Sequence, residues 1–274
     1  MENNICNFDR FLETTRMTVK ILSRSAAAVN PGKYHAALVG LAKDAGALFF
    51  ERTPANSIEG KPGSFLVKTR LGTIRCKAVG LATNGHSGKL TPFLRRRIIP
   101  VTGTVIATGE LPEELTKSLL PDGSWCVDTH FGFRCFCLSP DGKRLIFAKA
   151  GLPGSFRRDI KPYARRVYKH MIETFPQLDG VALDYAWPAS VGVTLDGIPH
   201  LGSHEGVWHA AGFNGHGVAI TVHLGNQMAR RILGGQHKKS VFEEIPFPTS
   251  VFYNGNTWFM PVIRQMLKIW DLRS

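Results

Sequence analysis

The stretch whose residue types and spacing best suit chemistry runs from Trp208 to Gly235 and contains Gly-Phe-Asn-Gly-His-Gly-Val at 212–218. Apolar Val207–Ala211 predicts a short buried strand, and the glycines predict a turn with positive φ and close backbone approach. An amphipathic helix is predicted to follow, with Asn214 as its N-cap. The free N–H groups and positive dipole end of such a helix form an anion-binding site. The alternative is a strand–turn–helix unit that only packs.

One face of this helix is defined by residues at helical spacing, namely Val218, Val222, Gly225 and Ala229. Gly234 and Gly235 are predicted to end the helix. Arg230 and Arg231 precede them, and their positive charge suits the negative end of the helix dipole.

The composition indicates a folded protein that carries an excess of positive charge. Among 274 residues, 43% are hydrophobic and 20% charged, which is enough to build a sizeable core. The net charge is +13, and much of it lies in dispersed groups such as Arg95-Arg96-Arg97 and Arg165-Arg166. Dispersed groups are more typical of solvated faces than of a nucleic-acid stripe, which disfavours a nucleic-acid ligand but leaves weak binding of polyanions open.

Five cysteines, at positions 6, 76, 126, 135 and 137, form neither an even set nor a metal-binding spacing. We therefore predict no zinc site and no disulfide, and a reducing cytoplasm as the compartment. The N-terminal residues lack the pattern of a signal peptide. No apolar run approaches the ~20 residues that span a bilayer, so no membrane segment is predicted.

The elements that must position the glycine-rich stretch begin near Pro31, which suits a helix N-terminus. Gly46 is predicted to end that helix, and Ala47–Glu51 to form a strand. A hairpin is predicted from strands Ser64–Thr69 and Gly72–Ala82.

The middle of the chain predicts an antiparallel sheet with one or two covering helices. The helix is predicted over Ala164–Phe175, where Pro176 closes it. Strands are predicted over Ile98–Thr108, Trp125–Asp128, Phe131–Leu138, Arg144–Ala148 and Val181–Trp187.

The string at 212–218, together with Thr-Leu-Asp-Gly-Ile-Pro at 194–199, resembles the C-terminal signature of the FAD-dependent D-amino-acid-oxidase superfamily. The resemblance is strongest to its glycine-oxidase, sarcosine-oxidase and gamma-glutamylputrescine-oxidase-like group, and it extends upstream to about Ser25. It implies an α/β (α+β overall) fold: a partial FAD-binding Rossmann-like domain with an inserted antiparallel-sheet substrate domain. The implied activity is oxidation of the C–N bond of a small amine or amino acid by hydride transfer to flavin.

This resemblance divides the chain into five parts. Residues 1–24 are a lead-in, 25–91 the first segment of the FAD-binding domain and 92–190 the substrate domain. Residues 191–235 are the final strand–turn–helix of the FAD-binding domain, and 236–274 are a C-terminal tail. Within the tail, Val262–Trp270 is predicted to be helical.

The resemblance also implies a set of FAD-binding residues, and the absence of a cysteine at the family's linkage position implies that FAD is held noncovalently. The implied residues are Ala55, Ala82, Thr83, Asn84, Asp196, Gly212, Asn214, Gly215, His216, Gly217 and Val218. Three alternatives stay open: 82–84 as an ordinary strand-end turn, Asp196 as a plain turn aspartate, and His216 as a histidine that faces solvent.

Arg134 is a charge inside an apolar strand, and a buried arginine requires an anionic partner. A substrate carboxylate would serve, and the alternatives are a structural salt bridge and an outward-facing residue. No general base and no metal ligand are predicted, because the flavin carries the chemistry.

One family feature is missing from the sequence. There is no G-x-G-x-x-G at the start of a βαβ unit, so the family's pyrophosphate clamp is not present. Compared with the family, the chain begins on the order of a hundred residues late. We therefore expect a truncated copy, or alternatively a non-catalytic remnant or subunit that needs a complementary N-terminal chain to bind FAD.

Overall fold

The computed structural model describes residues 29–121, 123–128, 133–151, 159–235 and 239–258. It divides into two compact units. The split unit consists of Pro31–Val101 and Ser190–Phe259, and the central unit is built on Thr102–Ala189. Helices alternate with antiparallel and parallel strands in a mixed α/β arrangement, so the predicted fold class is confirmed.

The split unit is organised by a three-stranded sheet of β4 (Val79–Leu81), β10 (His200–His204) and β11 (Val207–Ala211). β11 lies in the middle, where it pairs with β10 antiparallel and with β4 parallel. One face of the sheet packs against helix α5 (Gly217–Ile232), whose Leu224 is fully buried beside Leu201 and Ala210. The other face carries Ala211, which packs with Leu94 and Ile98.

A second sheet of the split unit contains β1 (Ala55–Lys61), β2 (Ser64–Thr69) and β3 (Thr73–Cys76) as an antiparallel meander. The predicted hairpin is present, but the prediction of one strand over Gly72–Ala82 is wrong. The last register pair between β2 and β3 is Phe65 with Cys76, and the N–H of Gly63 donates to the carbonyl of Lys77 at 2.8 Å. The chain leaves this sheet there and joins the other sheet as β4.

Helix α1 (Pro31–Asp44) begins at the predicted proline and ends before Gly46, which has φ +89°. The predicted strand over Ala47–Glu51 is wrong, because no described strand pairs with these residues. Leu48 is 81% exposed, and Phe49 and Phe50 are exposed as well. Apolar composition therefore does not produce a strand here, since a strand requires a hydrogen-bonded neighbour.

The central unit contains a five-stranded sheet in the order β6-β7-β8-β5-β9. Its strands are β5 (Ile99–Thr108), β6 (Cys126–Val127), β7 (Arg134–Leu138), β8 (Leu145–Lys149) and β9 (Leu183–Val193). Helix α3 (Glu113–Leu119) follows β5, and helix α4 (Lys161–Thr174) follows β8. The last strand is longer than predicted, whereas the other strands agree with the sequence to within a few residues.

The core of the central unit lies between this sheet and α4. Val167 and Met171, one turn apart on α4, share a buried cluster with Ile106, Phe136 and Phe147. Phe136 stacks on Phe147 with ring centroids 5.6 Å apart. Two short helices, α2 (Pro92–Arg95) and α6 (Val241–Glu244), belong to the split unit.

The predicted lead-in at 1–24 and the predicted helix Val262–Trp270 lie outside the described residues. Among the helices that the structure does describe, none is both long and apolar enough to cross a membrane. The same part of the chain contains no cluster of side chains that could hold a metal ion.

Candidate cofactor-binding turn

The glycine-rich turn follows β11 directly, as the sequence predicts. Gly212 has φ +77° and Gly215 has φ +92°, conformations that favour glycine. Gly217 has no positive φ and is the first residue of α5. Phe213 between them is buried against the helix and anchors the turn.

Asn214 holds the turn rather than capping the helix, so the predicted N-cap is wrong. Its Oδ1 accepts a hydrogen bond from the N–H of Thr194 at 2.9 Å, and its Nδ2 donates to the carbonyl of Gly212. Its own N–H donates to the carbonyl of Gly192 at 3.0 Å. Since the amide is already engaged, the helix starts two residues later, where His216 is the N-cap residue.

The predicted strand-end corner, Ala82 to Asn84, meets this turn. Asn84 begins a short 3₁₀ helix after β4, and its Oδ1 accepts a hydrogen bond from the N–H of Gly212 at 3.0 Å. A Cβ at Gly192 would lie 2.5 Å from the same oxygen, so that position requires glycine. Ala82 and Thr83 are exposed beside it. Residues that are distant in sequence thus form one interlocked corner.

Asp196 lies in the turn that precedes β10. It accepts hydrogen bonds from the N–H of Ile198 at 3.2 Å and from Nε2 of His200 at 3.0 Å. Burial alone would raise the pKa of Asp196, but hydrogen bonds from Thr194, Ile198 and His200 outweigh it and lower the pKa. The carboxylate is therefore ionised at neutral pH and is engaged within its own turn.

The N-terminus of α5 is open. The N-cap residue His216 makes no side-chain capping bond, and its side chain is exposed. No atom lies within 4 Å of where a Cβ would stand at Gly215, and Val218 in the first turn is 50% exposed. No acidic residue occupies the first turn. Uncapped N–H groups with an unopposed dipole attract negative charge.

Ala55 is placed apart from this corner, as the first residue of β1, where it pairs with Thr69 in the meander. Sequence reasoning gave no role to Gly192 and treated Thr194 only as part of a motif. Both are needed to hold Asn214 and Asn84. The Thr-x-Asp-Gly string was the available signal for Thr194, but Gly192 carried no signal because its close contact is with a distant residue.

Arg134 lies on β7 in the central unit and is 12% exposed. Its Nη2 lies 3.2 Å from Glu173, its Nε lies 3.4 Å from Asp128, and its Nη1 donates to Thr174 at 2.9 Å. Arg134 therefore forms a structural salt bridge, which is one of the alternatives that the sequence allowed. A substrate carboxylate would have to compete with these two acidic partners.

The glycine turn at the start of the long helix α5, bonded to the strand-end residue Asn84, lies within the part of the chain that a family model matches. The family model of the DAO class, described as FAD dependent oxidoreductase, matches residues 9–231, and the chain belongs to this family. The cofactor on which this family depends is FAD, as the resemblance implied.

Relatives of known sequence agree with this assignment. The probable oxidoreductase OrdL of Haemophilus influenzae is 33% identical over 219 residues, which cover 77% of this chain and 49% of that protein. Gamma-glutamylputrescine oxidoreductase of Escherichia coli is 30% identical over 212 residues, covering 76% of this chain and 48% of that protein. The chain therefore spans about half the length of these relatives.

A solved structure supports the fold. The crystal structure of glycine oxidase from Geobacillus kaustophilus superposes with a TM-score of 0.64 at 22% sequence identity. The superposition covers 79% of this chain and 56% of the glycine oxidase chain.

Proposed function

We propose that this protein is an FAD-dependent oxidoreductase that oxidises the C–N bond of a small amine or amino acid, with the cofactor held noncovalently. The observation that carries the proposal is the open N-terminus of α5, presented by a turn that Asn84 and Asn214 hold in place. Family membership supports it, as does the similarity to gamma-glutamylputrescine oxidoreductase of Escherichia coli and to a glycine oxidase of Bacillus licheniformis.

The residues of the turn fit a flavin. A flat, partly anionic ring system needs a surface without bulky side chains, and Gly215 leaves space on its side-chain face. The N–H groups and dipole at the start of α5 favour negative charge near Gly217 and Val218. The exposed side chain of His216 lies next to these groups, where it would adjust the local charge.

The chemistry that bound FAD would supply is acceptance of a hydride from the carbon that carries the amine. The contribution of this chain is to bind and orient the cofactor and to stabilise negative charge at the start of α5. No side chain of the described residues is proposed as a general base, because a substrate amine that is already neutral requires none.

Noncovalent binding agrees with the placement of the cysteines. Among the described residues, Cys76, Cys126, Cys135 and Cys137 lie in strands outside any disulfide, and none lies on the turn. Burial raises the pKa of the Cys135 thiol to about 11, and the nearby charge of Asp128 adds to the effect. A thiol that stays protonated is a poor nucleophile. Free thiols also fit a reducing compartment, so we propose the cytoplasm as the location.

The experiment is a visible absorption spectrum of the purified chain after incubation with excess FAD and desalting. We expect a retained flavin band for the unmodified chain. Val218→Asp places a carboxylate among the helix N-terminal N–H groups, which should abolish retention while raising helix stability by about 0.3–1 kcal/mol. Val222→Asp, one turn further along the exposed face, is the matched control and should retain FAD.

Two results would count against the proposal. If Val218→Asp retains as much FAD as the unmodified chain, the helix start is not the flavin site. If the unmodified chain takes up no FAD, the alternative of a subunit that requires a complementary chain is favoured.

A further inference from the structure

A cavity of about 320 Å³ lies in the split unit. It is lined by Pro92, Phe93, Arg96, Arg97 and His204. Pro92 and Phe93 belong to α2, and Arg96 and Arg97 are the two residues that follow it. His204 is the last residue of β10. Its polar lining therefore consists of two guanidinium groups and one imidazole. Its volume is at the lower end of the range for small-molecule sites.

Among the residues that the structure describes, the arginines of the cavity have no anionic partner. Neither Arg96 nor Arg97 forms an ion pair with any residue that the structure describes, and their sequence neighbour Arg95 adds a third positive charge. Burial, together with the charge of Arg96, lowers the pKa of Arg97. A partly buried cation without a partner is costly, so an anion from solution would relieve an existing repulsion.

Arg97 is held in a fixed orientation. Its Nε donates to the carbonyl of Phe247 at 3.1 Å and its Nη1 to the carbonyl of Phe93 at 3.0 Å. The guanidinium carbon lies 3.7 Å from the centroid of the Phe93 ring, a cation–π contact. The remaining N–H donors of the guanidinium are not engaged by described residues, and they are therefore preorganised for a ligand.

His204 is fixed by the same aromatic ring. Its imidazole stacks on Phe93 with ring centroids 4.1 Å apart and planes 17° apart. The guanidinium of Arg97 contacts the same ring, so one aromatic side chain supports both groups that line the cavity. Arg96, which is exposed, is the third basic residue that lines the cavity.

We propose that this cavity is a binding site for a phosphate group, either free or carried by a small metabolite. Guanidinium groups match the oxygens of a phosphate in charge and in planar, bidentate geometry. Two arginines with an imidazole suit a dianion better than a single carboxylate. The cavity and the proposed flavin site have no lining residue in common.

The test is isothermal titration of the full chain with inorganic phosphate and, separately, with glycerol 3-phosphate, at constant ionic strength set with sodium chloride. We expect saturable binding of one equivalent in both titrations. Tighter binding of glycerol 3-phosphate assigns the site to a phosphorylated metabolite, and equal binding assigns it to free phosphate. If neither inorganic phosphate nor glycerol 3-phosphate gives a binding heat, the proposal is overturned.

Variants locate the binding. Arg96→Gln should weaken binding by about tenfold or more, because a charge-assisted hydrogen bond is lost. His204→Asn should weaken it less. Arg165→Gln, an exposed arginine on α4 outside the cavity, is the control and should bind as the unmodified chain does. Because Arg96 is exposed, its replacement should leave the urea midpoint unchanged.

Two outcomes would overturn the assignment to this cavity. The first is unchanged binding in Arg96→Gln, or an equal loss in Arg165→Gln, which would mean general attraction to a basic surface. The second is displacement of phosphate by excess riboflavin, which carries no phosphate group and would compete only if the phosphate occupied the flavin site. Failure of FAD retention with intact phosphate binding would reject the flavin proposal alone.

Discussion

The side-chain oxygen Oδ1 of Asn84 accepts a hydrogen bond from the backbone N–H of Gly212 at 3.0 Å, across 128 positions of the chain. The bond joins the end of β4 to the first residue of the glycine-rich turn. Asn84 has φ +39°, which few side chains adopt readily, and asparagine is among those that do. One residue thus supplies both the acceptor and the backbone conformation.

Replacement of Asn84 should separate these two contributions. Asn84→Gly keeps the backbone conformation but leaves the buried N–H of Gly212 without its acceptor, so we expect a loss of about 1–3 kcal/mol in the free energy of unfolding. Asn84→Ala should lose about 1 kcal/mol more, because alanine is strained at positive φ. Urea unfolding measures both. Asn226→Ala, exposed on α5, is the control, and a stability of Asn84→Gly equal to it would contradict the role of the bond.

Gly212 should be intolerant of any side chain. A Cβ there would collide with Cγ2 of Thr194, and the φ of +77° adds strain. Gly212→Ala should therefore lower the free energy of unfolding by about 2–4 kcal/mol. The double variant Gly212→Ala with Thr194→Ser removes the colliding methyl and should recover part of the loss. Gly215→Ala, where no atom lies within 4 Å, should show only the backbone strain of about 1 kcal/mol.

A double variant that is no more stable than Gly212→Ala would show that the collision is not the cause. The free energy of unfolding of each variant is measured in urea. The variants can then be compared with one m value, the dependence of that free energy on urea concentration.

Elements that are defined by local signals could be predicted from the sequence. Pro31 and Gly46 delimit α1, and Val207–Ala211 is observed as β11 with the predicted bounds. A proline at the first turn, a glycine just past the last and a short apolar run act over a few residues. The glycine turn was predicted for the same reason.

Long-range relationships were not available from the sequence. Helix α5 carries two apolar stripes at helical spacing, and the structure buries the one with Ile220, Leu224 and Met228, while Val218 and Val222 are exposed. Periodicity identifies a face but not its neighbour. Asn214 was predicted to cap because its type is favoured there, but a hydrogen bond from the distant Thr194 N–H engages its oxygen. The position of Ala55 in a separate sheet likewise depends on strand pairing.

The ion pairs of Arg134 should contribute unequally to stability. Asp128 is 3% exposed, and its carboxylate also accepts a hydrogen bond from the N–H of Arg134 at 2.7 Å. Asp128→Ala leaves a buried charge without this partner and should cost about 3 kcal/mol. Glu173 is 53% exposed, so Glu173→Gln should cost less than about 1 kcal/mol. The free energy of unfolding of both variants is measured in urea at pH 7. Equal losses in the two variants would contradict the unequal contributions of Asp128 and Glu173.

His209 should make the stability of the protein depend on pH. It lies on β11 and is buried, and burial, followed by the charges of His200, His204 and Arg97, lowers its pKa from 6.5 to about 4. At pH values between about 4 and 6.5, His209 is protonated in the unfolded chain but neutral in the folded chain. The stabilisation is therefore complete above about pH 6.5 and is lost as the pH falls toward 4. The loss is on the order of 3 kcal/mol.

The measurement is the free energy of unfolding in urea at intervals from pH 7 to pH 4, for the unmodified chain and for His209→Gln. The variant lacks the titrating group, so its stability curve should be flatter over this interval even if its absolute stability is lower. His223→Asn, an exposed histidine on α5, should keep the slope of the unmodified chain. A slope that His209→Gln leaves unchanged would assign the acid sensitivity to other groups, since only a residue with different folded and unfolded pKa values contributes to it.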